Sequence, residues 1–182
     1  MIREELNSLL CRYMYEAMSR MKEDNSGAKA LAAAWRHEAG REPGENPELY
    51  GSFLLDFPEE LQSKNGSLTP YMRAAWMAIT MYVLGSKRHE REVSLGKAVS
   101  ACDGKDSSST KKRLLVVETT TKLENLNEPL RAVIHMLDSK KIGLDYAKLA
   151  VDLARWPIDR LSVVRRWEKD YAVLKSVKDG DS

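Results

Sequence analysis

Leu114 to Thr121 reads L-L-V-V-E-T-T-T, and its assignment decides the fold class, since it is the one stretch whose β-branched residues argue for a strand. A lone strand would leave its backbone N–H and C=O groups without partners. Helix signals flank it on both sides, so at least its first half is predicted to be helical and the chain all-α.

Working outward toward the C-terminus, Glu128-Pro129 starts a helix, L-R-A-V-I-H-M-L, whose predicted buried face is Leu130, Val133, Ile134 and Leu137. Lys140 to Gly143 links it to a helix from about Asp145 to Arg155, with Tyr146, Leu149, Ala150 and Leu153 recurring at helical period. Pro157 is expected to break the chain after Trp156, and Asp159 to cap a long final helix. The inward stripe of that helix is predicted as Leu161, Val164, Trp167, Tyr171 and Leu174. Arg165 and Lys169 lie roughly 200° round from Trp167 and should point outward. Trp156, Trp167 and Tyr171 are expected in the core, and Asp179 to Ser182 as a frayed tail. Upstream, Ser94 should cap S-L-G-K-A-V-S-A-C, and Asp103 to Ser109 reads as a mobile loop.

The N-terminal part follows the same grammar. Glu4 to about Lys22 is a helix striped by Leu6, Leu9, Leu10, Tyr13, Met14, Ala17, Met18 and Met21. Ser26 is expected to cap a second helix, Gly27 to Ala39, that buries Trp35 and stops at Gly40. Asn46-Pro47 and Thr69-Pro70 each combine a capping side chain with proline at the first helical position. The second of these launches the most apolar helix, Tyr71 to Leu84, closed by Gly85 and expected at the centre of the fold.

Charge divides the chain. Residues 1–84 carry 9 Lys+Arg against 12 Asp+Glu, a balance of −3, and the remaining residues carry 20 against 15, a balance of +5. The sign changes at S-K-R-H-E-R-E, Ser86 to Glu92, which places an expected boundary between an N-terminal bundle, 1–88, and a basic C-terminal bundle, 89–182. Such asymmetry fits a protein that meets a polyanion with one half.

Other chemistries find little support. The longest apolar-rich run, Ala74 to Leu84, is far short of the roughly 20 residues that span a bilayer, and M-I-R-E-E-L-N lacks a signal-peptide core, so a cytosolic protein is expected. Cys11 and Cys102 stand far apart and read as reduced core thiols. His37, His89 and His135 belong to no metal-ligand pattern, and neither a phosphate loop nor a nucleophile elbow is present. The carboxylates read as surface partners of nearby cations, as with Arg166 and Asp170 at i, i+4. No catalytic residue, metal, cofactor or small-molecule substrate is therefore expected.

The cations are more informative. Lys111, Lys112 and Arg113 are consecutive, so on a helix they fan round roughly 200° and at least one must face outward. Arg131, Arg165 and Lys169 are candidates for the same surface. With no base-reading motif in the chain, a nucleic-acid contact of theirs would be to the backbone, independent of sequence and sensitive to salt.

The order of these pieces resembles a known family. V-S-L-G-K-A-V from Val93, K-K-R-L-L from Lys111, L-R-A-V-I from Leu130 and L-D-Y-A-K-L-A-V-D-L-A-R-W from Leu144 are similar to the CasB family, the small subunit of the type I-E CRISPR surveillance complex, Cascade. The resemblance covers nearly the whole chain and rests on joint order and spacing rather than on any one motif. It implies an all-helical, non-catalytic protein of two small bundles. Such a protein would sit as a pair of copies between the crRNA-bound backbone subunits and the large subunit. It would help to hold the guide RNA and target strand and would line a basic path for the displaced single DNA strand.

Carried over by position, Arg36, Lys97, Lys112, Arg113, Lys122 and Arg131 match basic positions of the family. Two departures stand out. Ala132 occupies a position where some members have a second arginine, and Pro157-Ile158-Asp159 replaces basic residues after the tryptophan, with Arg160, Arg165 and Arg166 available in their place. The alternative reading is a helical adaptor that binds only protein.

Overall fold

The computed structural model describes residues 3–102 and 107–180. Among them the regular structure is helical: α1 (Arg3–Lys22), α2 (Ser26–His37), α3 (Pro47–Asp56), α4 (Pro70–Leu84), α5 (Leu95–Cys102), α6 (Ser107–Thr119), α7 (Asn127–Ser139) and α8 (Tyr146–Gly180). Short 3₁₀ turns cover Glu59–Leu61 and Leu123–Leu126. The all-α expectation holds, and L-L-V-V-E-T is helix through Thr119. The threonines that argued for a strand end that helix instead. Thr119 Oγ1 donates to the Leu115 carbonyl and Thr120 Oγ1 to that of Val116, both at 2.8 Å, a side-chain alternative to continuing the backbone ladder.

The capping signals are used as written at Asn46, Thr69 and Ser94, whose side chains accept from the backbone N–H of Leu49, Met72 and Lys97. At α2 the cap is Asn25 rather than Ser26: its Oδ1 accepts from Ala28 N at 2.8 Å, and Ser26 is already helical. Asn25 is an equally strong capping residue one step earlier, so the choice between neighbours was made by geometry. Gly40 ends that region with φ +86, a conformation that favours glycine.

α4 is the centre of the fold. Nearly all its residues from Met72 to Val83 are buried, and it packs against α1, α2, α7 and α8. Beside it Tyr13, Trp35, Phe53, Phe57 and Trp76 form an aromatic cluster, with Trp35 and Trp76 ring centroids 4.6 Å apart. α8 continues the same core on the other side, against α1, α4 and α5. The buried side chains of the two halves of the chain form one continuous cluster. Ser86 to Glu92 lies across this core as a tied turn: Glu90 N donates to Leu144 O and Leu144 N to Arg88 O, each at 3.1 Å. Gly143 permits the approach, because a β-carbon there would come within 2.9 Å of Glu90 Cβ.

α8 departs from expectation in detail. Asp145 caps it, accepting from Lys148 N at 3.0 Å, and the helix runs through Pro157. The break falls at Asp159 (φ −151, ψ 58), whose Oδ1 accepts from Ser162 N. Proline lacks the N–H that would bond the preceding turn and its ring crowds the carbonyl four residues back, and the helix breaks two residues after it. Val163, one turn before Trp167 and about 40° from it round the helix, is buried with Trp167 and Tyr171, whereas Leu161, about 120° away, is exposed. The expected Arg166–Asp170 pair does not form: Arg166 pairs with Asp152, and Asp170 accepts from Ser94 Oγ at 2.6 Å. Of the expected loop Asp103 to Ser109, residues 107–109 are helical and 103–106 lie outside the described residues. Of the expected tail, residues 179–180 are helical and 181–182 lie outside them.

Candidate nucleic-acid interface

The structure sorts the predicted cations into three groups. The first is turned inward. Lys111 pairs with Glu168, has Glu118 Oε2 at 3.8 Å, and sits over the Tyr171 ring 4.5 Å from its centroid. Arg160 donates to the Glu118 carbonyl, and Arg166 pairs with Asp152, itself 2% exposed. In this structure these three join α6 to α8, or one part of α8 to another. The carboxylates around them are correspondingly perturbed. Burial, reinforced by Glu168, pushes Glu118 up to about 8 despite Lys111, whereas hydrogen bonding and Lys111 hold Glu168 below its ordinary range.

The second group lies along α6, α7 and the end of α2. Lys112 is exposed with no partner among the described residues. Arg113, also exposed, donates from Nη1 to the Ala132 carbonyl at 3.0 Å, which ties it to the backbone of α7 next to Arg131 in the chain. Arg131 holds Glu128 at 2.8 Å and remains half-exposed. A β-carbon at Gly40 would lie 3.5 Å from Arg131 Nη1, so the connector that follows Arg36 rests against this arginine. Nearly a hundred positions separate Arg36 from Arg131; α6 packs on α7, and α4 contacts both α2 and α7, which brings these elements together. Arg36 and Lys122 are exposed, without partners among the described residues. Arg41 joins them: it is exposed and lines a small cleft with Arg73, Glu124 and Asn127. Sequence reading missed it, although its position immediately after the Gly40 stop marks it as solvent-facing.

The third group is the outer face of α8, where Arg165 and Lys169 are exposed at i, i+4 and unpaired among the described residues. Lys97 belongs near this end, not with the second group. Its Nζ donates to Glu92 O at 3.3 Å, and Ser94, one turn earlier, ties α5 to Asp170.

Among the described residues no group of three His, Cys, Asp or Glu could hold a metal. His89 is half-buried in the turn before α5, its Nδ1 accepting from Tyr146 N at 3.3 Å and its pKa lowered by burial. Cys11 and Cys102 are unbridged. No helix among the described residues is long and apolar enough to cross a membrane.

Fold and surface together define an all-helical protein whose distinguishing chemistry is a set of outward cations on a rigid core. The chain belongs to the CRISPR-associated protein Cse2 family, whose model matches residues 30–171. This agrees with the family expected from motif order. The fold is shared with CasB from Thermobifida fusca, at 24% identity and TM-score 0.71 over 91% of this chain and 96% of that one. It is shared with CasB from Thermus thermophilus at 22% identity and TM-score 0.69, over 89% and 96%. A chain of a CRISPR RNA-guided surveillance complex matches over 96% of this chain and 98% of its own, with TM-score 0.72 and 17% identity. No curated protein matches the chain.

Proposed function

We propose that this protein is the non-catalytic small subunit of a type I-E CRISPR surveillance complex, Cascade. It binds the backbone of crRNA and of single-stranded DNA independently of sequence, and it stabilises the displaced strand when an R-loop opens. Its partners are a second copy of itself and the backbone and large subunits of the complex. The observation that carries the reading is the second cation group: Arg36, Lys112, Arg113, Lys122 and Arg131, drawn from distant parts of the chain, lie on helix ends and outer faces where phosphates can reach them. Such contacts position a backbone and carry no sequence information. R-loop formation is nearly balanced between the duplex opened and the heteroduplex formed, so a handful of phosphate contacts can tip it.

The test is reconstitution of the complex with and without the chain, followed by measurement of R-loop lifetime on a matched target. The proposed role requires that omission shortens the lifetime or leaves the displaced strand open to a single-strand nuclease. Identical lifetimes and protection would refute it. The protein-only adaptor reading takes its support from a different feature, the exposed aliphatic side chains of α6 and α8.

A further inference from the structure

The seam between α6 and the second half of α8 combines satisfied charges with unsatisfied apolar surface. Lys111 of α6 meets Glu168 of α8, and the Glu118 carbonyl meets Arg160, so the helices run antiparallel with these pairs as rungs. Leu115 lies between the two rungs on α6, four residues from Lys111 and three from Glu118. Leu161 and Val164 lie between them on α8, along the same face as Glu168. Helix geometry therefore sets Leu115 opposite Leu161 and Val164 on the outer side of the seam. Leu115 is 50% exposed and Leu161 53%, while Val164 is half-buried. The charged side chains beside these leucines are engaged with one another: Lys111 pairs with Glu168, whose side chain stays 42% exposed at the edge of the strip with its charge met by the lysine. The outward charges of α8 beside the strip that have no partner among the described residues are the cations Arg165, one turn from Leu161, and Lys169 beyond it; the carboxylates of Asp159 and Glu168 are already paired, with Arg155 and Lys111.

We infer that this strip is a protein-docking surface, and that its occupant is an amphipathic helix of another subunit that presents aliphatic anchors flanked by Asp or Glu. Two arguments select that occupant. The strip is aliphatic and offers no π-face, whereas single-stranded nucleic acid is held by stacking on aromatic rings as well as by charge. An apolar centre beside unpaired cations matches an apolar helix face beside carboxylates, the arrangement of a hot spot with a polar rim. Arg165 and Lys169 thereby act at a protein contact, and phosphate contacts fall to the cations of α2, α6 and α7. The inference rests on the reading of the chain as a subunit of the surveillance complex.

The experiment is co-expression of that complex with wild-type chain, with Leu115→Ser/Leu161→Ser, and with Arg165→Glu. A parallel wild-type preparation carries a photo-crosslinking benzoylphenylalanine at position 115. Both leucines are largely solvent-facing, so the double variant should fold with an unchanged circular dichroism spectrum and bind single-stranded DNA as wild type does. Its retention in the complex should fall on the order of tenfold or more, and Arg165→Glu should lower retention in a salt-dependent way. The crosslink should join position 115 to another protein subunit. Full retention of the double variant overturns the inference, as does a crosslink to nucleic acid, to a second copy of this chain, or to nothing. Should wild-type chain fail to enter the complex at all, the functional reading falls, and the inference with it.

Discussion

Replacing Gly96 by alanine adds one carbon where α5 lies directly against the backbone of α8. A β-carbon there would lie 2.7 Å from the carbonyl carbon and 2.9 Å from the Cα of Trp167, and closer still to the carbonyl oxygen. These are backbone atoms of α8, which cannot swing aside as a flexible side chain could. Relief requires α5 and α8 to separate by about an ångström, against optimal carbon contacts of roughly 3.5–4.0 Å. That separation would loosen Ser94 from Asp170, which lies on the turn after Trp167. Overpacking costs about 1–3 kcal/mol and occasionally more, and a rigid backbone on one side puts this site at the upper end. Alanine's better helix propensity returns at most about 1 kcal/mol, which leaves a net loss of about 2–3 kcal/mol. For a chain of this length that corresponds to a fall in Tm of about 5–10 °C. The assay is thermal unfolding followed by circular dichroism, with Gly51→Ala as control. Gly51 lies within α3 with nothing near enough to meet a β-carbon, so that variant should melt at or slightly above wild type. A Gly96→Ala protein that melts with wild type would show that α5 and α8 do not approach as described.

Trp167→Ala should destabilise by about 3–5 kcal/mol, because the ring is fully buried against Trp156, 5.4 Å between centroids, and its N–H donates to Asp152 at 2.8 Å. Urea unfolding measures the loss, and a wild-type midpoint would contradict the core assignment. Glu118 makes stability depend on pH. Its folded pKa, about 8, lies above the unfolded value, so the native state holds a proton that the unfolded chain releases. Stability should therefore decline as pH rises from about 5 to about 8, and Glu118→Gln should flatten that part of the profile. The lowered His89 acts with the opposite sign as pH rises through its ordinary range, so the comparison of the two profiles isolates the Glu118 contribution. Profiles that stay parallel would show that Glu118 is not held protonated at the seam.

Most of the helices were legible because their signals are local: a capping side chain next to proline at Asn46-Pro47 and Thr69-Pro70, and an apolar period at Leu130, Val133, Ile134 and Leu137, all four of which are buried. The errors are also local in kind. Pro157 has the composition of a stop, yet the backbone turns at Asp159; and Leu161, six residues before Trp167, is off the buried face that Val163, four before it, shares. The site was legible as a set of cations but not as an arrangement. Lys111 cannot be told from Lys112 until Glu168, far away in the chain, is seen to engage one and leave the other exposed. Nor does linear order relate Arg113 to Arg131, whose proximity follows from α6 lying on α7. Family resemblance marked Gly96 only as part of S-L-G-K-A; the structure shows that the glycine is where α5 meets the backbone of α8.

The central claim is that the exposed cations meet the phosphates of a single strand, and the salt dependence of binding tests it most directly. Affinity of the purified chain for two single-stranded DNAs of unrelated sequence, measured across a salt series, should give similar values and a linear plot of log affinity against log salt. Lys112→Ala/Arg113→Ala should weaken both DNAs alike and reduce the slope by about 0.7 for each phosphate that is no longer neutralised. A slope unchanged by the substitutions, or a weakening confined to one of the two sequences, would contradict backbone binding by this surface.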